Sequence, residues 1–232
     1  NVMKETQQTP QFPTEEVTLP SKGILYPEDS PLKSGKITMK YMTAREEDIL
    51  TNQNYIENGT VIDKLLQSLI VTPIDYNSLL VGDKNAILVA ARILGYGAEY
   101  EFEYGGENHD INLTEMKDKY LDDSLVKNNI NEFEYVLPTS KSTVTFKFLT
   151  HGDERKIDQE IKGLKRLNKK GSFDISTRMK YVITSINGDR ENKDIRAFVD
   201  EQLLAKDARS LRNYIKEIQP DIDLSFDYEE KN

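Results

Sequence analysis

The amino-acid sequence predicts an α+β fold in which two helical blocks flank antiparallel β-hairpins. Apolar residues recur at helical spacing in 61–70 and in 157–218, and they alternate with polar residues between 99 and 149. The expected parts are an extended docking arm over 1–35, a strand plus helical block over 36–97, a β-hairpin layer over 98–149, and a C-terminal helical block with a terminal edge strand over 150–232.

The first 35 residues have the composition of an arm that lies on a protein surface. Five prolines occur there without helical periodicity, and proline fixes φ and removes a backbone donor. The segment has too many apolar side chains for a solvated tail, so we expect it to lie on its own chain or on a partner. Its candidate partner-binding residues are Phe12, Val17, Leu19, Ile24, Leu25 and Tyr26.

The tail after Pro220 has the alternation of an edge strand. Acidic residues or serine alternate there with Ile222, Leu224, Phe226 and Tyr228, which complete the set of candidate partner-binding residues. An edge strand can extend a partner's sheet, and its outward acids would discourage pairing with unintended chains.

Helix boundaries are predicted from capping signals. Thr43 and Glu46 have the spacing of a capping box, which predicts a helix start. Asp83 is expected to cap a helix that runs to Leu94 and stops at Gly95. A later helix is expected to carry Met179, Val182, Ile183 and Ile186.

Two β-hairpins are predicted in the middle of the chain. The first pairs 99–104 with 109–113 across Gly105-Gly106, and the second pairs 132–137 with 142–149. The two hairpins could share one sheet, but the pattern does not give the strand order.

Composition excludes several classes of protein. The net charge is −9, the pI is about 5.0 and the mean hydropathy is −0.63, so we expect neither nucleic acid nor a membrane surface as a partner. No cysteine is present, which excludes disulfides, thiol nucleophiles and cysteine-bound zinc. No apolar run approaches the ~20 residues that span a bilayer.

Two groups of carboxylates have a spacing that could suggest a catalytic or calcium-binding site, but each is better explained by the local secondary structure. Glu99, Glu101 and Glu103 share one strand face, whereas a glycosidase needs a buried and a solvated carboxyl across a cleft. The tail 221–227 has the oxygen spacing that opens a calcium loop, but it lacks the glycine and glutamate that an EF-hand requires. A solvated face and an edge strand are the preferred interpretations.

The remaining chemical candidates are equally weak. His109 and His151 are the two histidines, and neither has a zinc-like partner spacing. The cluster Lys162, Lys165, Arg166, Lys169 and Lys170 is the one basic patch, which favours a solvated face or an acidic protein partner over RNA. We therefore expect no enzyme, no metal, no cofactor and no small-molecule substrate.

The chain from Leu19 to about Asp227 resembles the baseplate hub family of T-even-type contractile-tailed bacteriophages. The resemblance is carried by LPSKG at 19–23, YP at 26–27, MTAREED at 42–48, DKLLQSLI at 63–70, GDKNAILVAARILGYG at 82–97, INGDR at 186–190 and LRNYIKEIQPDIDLSF at 211–226. These segments mark a fold and contain no catalytic signature. Many relatives place C-x-x-C pairs at the hairpin turns, where this chain has Gly105-Gly106 and Glu229-Glu230, so a zinc knuckle is not expected here.

The resemblance implies a protein that acts through contacts with other tail proteins. It would be a structural or assembly component of the baseplate hub, in the virion tail or in the host cytoplasm during assembly. The alternative is a transient assembly chaperone that is absent from the mature virion. A hub-associated hydrolase is a more distant third hypothesis.

Overall fold

The computed structural model describes residues 13–225, which have the α+β fold that the sequence predicts. This part of the chain forms two compact units. The first contains the described residues up to Thr18, then Ile37–Pro73 and Ile87–Glu115, and the second contains Leu19–Lys36, Ile74–Ala86 and the residues from Met116 onward.

The first unit is built mainly from short helices and two small two-stranded sheets. Strands β1 and β2 pair with each other, and strands β3 and β4 form a separate antiparallel hairpin. The elements are β1 (Thr14–Thr18), β2 (Lys36–Lys40), α1 (Ala44–Leu50), α2 (Gln53–Glu57), α3 (Val61–Leu69), α4 (Val81–Tyr96, of which Ile87 onward belongs here), β3 (Glu99–Tyr104) and β4 (Glu107–Asn112).

Strand β2 organises the core of the first unit. The chain that leaves α3 lies beside it, because the Val71 amide donates to the Thr38 carbonyl at 2.8 Å and the Thr38 amide donates to Thr72 Oγ1 at 2.8 Å. The alternate residues Ile37 and Met39 are buried, as a half-buried strand requires. Apolar side chains of α3 and α4 are buried in the same unit, namely Leu65, Leu66, Leu69, Ile87 and Ala91.

Glu46 is a fully buried carboxylate in this unit, and four donors hold it. The predicted capping box is confirmed, with the Thr43 amide and hydroxyl donating to Oε2 at 2.8 and 2.6 Å. Ser68 Oγ donates to Oε1 at 2.8 Å, and Lys40 Nζ lies 2.6 Å from the same oxygen. Burial alone would raise the pKa of Glu46, but these hydrogen bonds outweigh burial and lower the pKa from 4.5 to about 2.

The second unit combines a three-stranded antiparallel sheet with four helices. The sheet has the order β6-β7-β8, and a further two-residue pair joins β5 to β9. The elements are β5 (Asp118–Lys119), β6 (Phe133–Val136), β7 (Thr143–Phe146), α5 (His151–Leu167), α6 (Asp174–Val182), β8 (Ile183–Ile186), α7 (Asn192–Glu201), α8 (Ala205–Ile218) and β9 (Asp221–Ile222).

Aromatic side chains from the sheet fill the core of the second unit. The Phe133 ring lies 5.7 Å from the ring of Phe146 and 4.6 Å from that of Phe148, and all three side chains are buried. Helix α8 holds the turn between β6 and β7 in place. The buried carboxylate of Asp207, at the start of α8, accepts hydrogen bonds from the amides of Thr139 and Ser140 in that turn.

Residues 183–186 differ from the sequence prediction. The helix that was expected to include Ile183 and Ile186 ends at Val182, and 183–186 form strand β8 against the central strand β7. Two of these four residues are β-branched isoleucines and one is threonine, which suits a strand, and the open edge of β7 supplies the backbone partners. The first hairpin belongs to a different sheet, so the two hairpins do not share one.

The segment 19–35 is a closed loop, and in this range the expected extended arm is wrong. The Leu19 amide donates to the Gly35 carbonyl at 2.8 Å, which joins the two ends of the loop. Gly23 has φ of 76°, and a Cβ there would lie 2.5 Å from the backbone atoms of Leu32, Lys33 and Gly35. The prolines therefore shape a compact loop packed into the second unit.

We expect Glu46→Gln to lose stability in a pH-dependent way. The folded-state pKa of Glu46 is below its ordinary value, so its ionised form stabilises the fold above pH 4.5, and this contribution disappears as the pH falls toward 2. At neutral pH the variant should lose about 2–3 kcal/mol in urea unfolding.

Glu47→Gln is the matched control, since Glu47 is an exposed carboxylate on the same helix. It should change the unfolding free energy by less than about 0.5 kcal/mol. If Glu46→Gln lowered the unfolding free energy by the same amount at pH 7 and at pH 3, the stabilising role of ionised Glu46 would be contradicted.

Candidate functional site

Of the seven predicted partner-binding residues that the structure describes, four lie in the chain's own core. These four side chains are buried in the second unit, namely Leu19, Leu25, Tyr26 and Ile222. Ile24 and Val17 are half-buried, Leu224 is 55% exposed, and Phe12, Phe226 and Tyr228 lie outside the described residues. A partner could not reach the four buried side chains without opening the core, so they are not a docking surface in this structure.

Tyr26 and Asp83 instead form the centre of a buried polar network, which we call the Asp83 cluster (Ser21, Tyr26, Leu80 and Asp83). Asp83 Oδ1 accepts a hydrogen bond from the Ser21 amide at 2.9 Å. Asp83 Oδ2 accepts from Ser21 Oγ and from Tyr26 Oη, each at 2.6 Å. Tyr26 Oη in turn accepts from the Leu80 amide at 3.0 Å, so the cluster ties the loop 19–35 to the start of α4.

Asp83 thus has a role that its sequence position did not reveal. Helix α4 begins at Val81, three residues before the start that a cap at Asp83 implies, and it ends at Tyr96, two residues after the expected end at Leu94. An acidic residue near a helix start can cap the helix or accept hydrogen bonds from a distant segment. No local sequence pattern connects Ser21 with Asp83, so the sequence could not distinguish these two roles.

Burial is the main influence on the ionisation of the cluster. It raises the pKa of Asp83, the donors from Ser21 and Tyr26 lower it, and the nearby Asp118 carboxylate raises it further, with a net increase. Burial, followed by the charge of Asp83, also raises the pKa of Tyr26 well above 10.0. Such shifts occur at catalytic groups, but the Asp83 side chain is fully buried, so it acts here as a structural acceptor.

The C-terminal segment packs directly on the same helical turn. A Cβ built on Gly82 would lie 1.8 Å from the Pro220 carbonyl oxygen, so only glycine allows this approach. Asn85 Nδ2 also donates to Asp221 Oδ1 at 3.1 Å. Residues from distant parts of the sequence therefore meet at this point of the second unit, namely Ser21, Tyr26, Gly82, Asp83 and Pro220.

A second group of titratable residues lies near the start of α5. Lys84 Nζ is 3.2 Å from His151 Nδ1, and the His151 ring meets the Tyr76 ring edge-on at 4.7 Å. An open cleft of about 430 Å³ nearby is lined by Asp75, Asn77, Ser78, Thr150, Gly152, Asp153, Arg155, Lys156 and Gln159. In residues 13–225 no three His, Asp or Glu side chains are arranged to hold a metal ion.

The first hairpin, β3 and β4, is the most exposed element with an ordered amphipathic pattern. Glu101 lies opposite Asp110, whereas on the other face Tyr100 lies opposite Ile111 and Phe102 opposite His109. The glutamate face is exposed, as predicted. The aromatic face is exposed as well, since Tyr100 is 44% and Tyr104 67% exposed.

One cation lies beside the aromatic face. The Arg92 guanidinium lies 5.0 Å from the centre of the Tyr96 ring and 5.9 Å from that of Tyr100. This cation–π arrangement presents an arginine and tyrosines together, which are residue types that dominate binding energy at protein interfaces. Sequence alternation identified the hairpin, but it could not show that Tyr100 and Tyr104 are exposed on its aromatic face.

Comparisons with protein-family models, with curated proteins and with solved structures found no match to this chain. Among the helices of residues 13–225, none combines the length and the apolar character needed to cross a membrane.

We expect Tyr26→Phe to destabilise the protein by about 1–3 kcal/mol, because it removes one donor to Asp83 and leaves the buried Leu80 amide without its acceptor. Urea unfolding measures the loss. Tyr120→Phe is the control, since the Tyr120 side chain is 49% exposed and its hydroxyl donates a hydrogen bond of 3.2 Å to the half-buried Asp118 carboxylate. Equal stability of Tyr26→Phe and the unmodified protein would rule out a supporting role for the cluster.

Gly82→Ala and Gly163→Ala should have opposite effects, although both glycines lie inside helices. At Gly82 the added methyl meets the Pro220 carbonyl, and overpacking of this kind costs about 1–3 kcal/mol. At Gly163 the methyl meets open space, and the higher helix propensity of alanine should add up to about 1 kcal/mol. Thermal unfolding of the two variants compares the signs, and a stabilised Gly82→Ala would contradict the close approach.

Proposed function

We propose that this chain is a structural or assembly component of a bacteriophage tail baseplate hub and that it acts by binding other tail proteins. The exposed first hairpin is the observation that supports binding best. Its aromatic face, with Tyr100, Tyr104 and the neighbouring Arg92, has the residue types of an interaction surface.

The hairpin also has a physical reason to bind. An isolated two-stranded hairpin is only marginally stable in water, and within residues 13–225 β3 and β4 pair with no third strand. A partner that packs on the exposed tyrosines, or that adds a strand at an edge, would stabilise the hairpin further.

The resemblance to hub proteins supplies the class of partner. Residues from several of the segments that carry it meet around the Asp83 cluster, namely Ser21, Tyr26, Gly82, Asp83 and Pro220. Their shared position fits a role as determinants of the fold, which would leave other surfaces free for partners. We therefore propose that the hairpin binds the partner protein and that the Asp83 cluster stabilises the fold.

Co-expression with the hub proteins of a T-even-type phage tests the proposal. The unmodified chain should be captured with at least one hub protein, and Tyr100→Ser combined with Tyr104→Ser should weaken the complex at least about tenfold, because buried tyrosines at interfaces often contribute more than 1.4 kcal/mol. Tyr120→Ser is the control, since it removes an exposed tyrosine elsewhere. No captured hub protein, or equal binding by the double variant, would reject the corresponding part of the proposal.

Mass spectrometry of purified virions separates the two forms of the proposal. A permanent hub component should be present in mature particles in a fixed ratio to other hub proteins. A transient assembly chaperone should be absent from them while still forming a binary complex during expression.

A further inference from the structure

Two exposed patches of opposite charge stand out on this acidic protein. The acidic hairpin, residues 99–112, carries five carboxylates and neither lysine nor arginine. The basic helix end, residues 162–170, carries five lysines or arginines and no acid. The carboxylates are Glu99, Glu101, Glu103, Glu107 and Asp110, and the cations are Lys162, Lys165, Arg166, Lys169 and Lys170.

None of these ten charges is compensated within residues 13–225. All ten side chains are exposed, and none takes part in an ion pair or a side-chain hydrogen bond in that range. Some other cations of the second unit do find acids, as in the pairs Arg178–Glu154 and Lys180–Asp200, whereas Lys206 and Arg209 do not within the described residues. The two patches are distinguished by five unpaired charges of one sign that lie close together in the sequence.

The helix dipole accounts for only part of the basic patch. Cations are favourable in the last turn of a helix, which covers Lys165 and Arg166 of α5. Lys169 and Lys170 lie beyond the end of the helix and extend the patch. Intrinsic helix stability therefore does not explain the whole patch.

The basic helix end also combines charge with exposed apolar area, since it presents Leu167, which is 88% exposed. A leucine so fully exposed beside cations can exclude water from a contact that opposite charges orient. On the hairpin the carboxylates of the glutamate face lie on the side opposite to Tyr100 and Tyr104.

The charges on the two patches have similar spacing. Neighbouring carboxylates on one strand face, such as Glu101 and Glu103, are about 7 Å apart along the strand. Lys162 and Arg166 are four residues apart on α5, which is about 6 Å along the helix axis. A strand laid along the helix end can therefore bring successive carboxylates close to successive cations.

We propose that the acidic hairpin of one copy of this chain docks on the basic helix end of a second copy. The two surfaces are different, so the contact is heterologous, and each copy offers one of each kind. The contact uses the glutamate face of the hairpin, where Glu101 lies opposite Asp110. Opposite charges give it its orientation, and Leu167 supplies its apolar part. The occupant of the glutamate face is thus another molecule of the same protein, whereas the aromatic face is the one that the proposed function assigns to other tail proteins.

Sedimentation velocity of the full chain tests the proposal through charge reversal. The unmodified protein should associate in about 0.05 M NaCl and dissociate in about 0.5 M NaCl, because salt screens exposed charges. Glu101→Lys with Glu103→Lys should weaken association more than about tenfold, and Lys165→Glu with Lys169→Glu should do the same. An equimolar mixture of the two variants should associate again, since each then offers the surface that matches the other.

Matched controls reverse exposed charges at other places. Glu47→Lys with Asp48→Lys, and Lys206→Glu with Arg209→Glu, change the net charge by the same amounts and should leave association intact. Circular dichroism verifies that every variant is folded. A protein that stays monomeric in low salt, an association that survives either patch reversal, a mixture that stays dissociated, or controls that dissociate equally would each overturn the proposal. Capture of a hub protein is a separate measurement, so the hub assignment and this contact can fail independently.

Discussion

The buried carboxylate of Asp83 is the constraint on which the second unit depends. Removing a charged carboxylate from water is costly, and its donors from Ser21 and Tyr26 exist in the right place only when the loop 19–35 is closed. The loop, the first turn of α4 and the segment after Pro220 must therefore form together. This interdependence makes the cluster a source of cooperativity more than of net stability.

Glu46 in the first unit is also a buried carboxylate, but its different hydrogen-bond donors shift its pKa in the opposite direction from that of Asp83. Lys40 lies against Glu46, and the lowered pKa means that protonation of Glu46 opposes folding. Asp83 has only neutral donors, and its raised pKa means that protonation of Asp83 favours the folded state. The two buried acids thus have opposite pH responses because one has a cation beside it and the other does not.

The sequence predicted best where local chemistry decides the structure. The capping box at Thr43 and Glu46 is a short-range pattern, and the first hairpin follows from strict alternation, so both were found. Strand β8 was missed because Ile183 and Ile186 also fit a helical face, and the edge of β7 decided between the two. Tyr26 and Leu19 were assigned to a partner because no sequence pattern distinguishes an apolar side chain buried in its own core from one buried in another protein.

The close approach of Gly82 to Pro220 has a consequence for how the chain is made. Synthesis runs from the N-terminus at about 5–20 residues per second, and Pro220 follows Gly82 by 138 residues, so it can reach this glycine only after those residues have been added. All segments of the first unit precede Met116, and they are available earlier. Until Pro220 has been synthesised, the nascent chain exposes the incomplete helix start at Gly82.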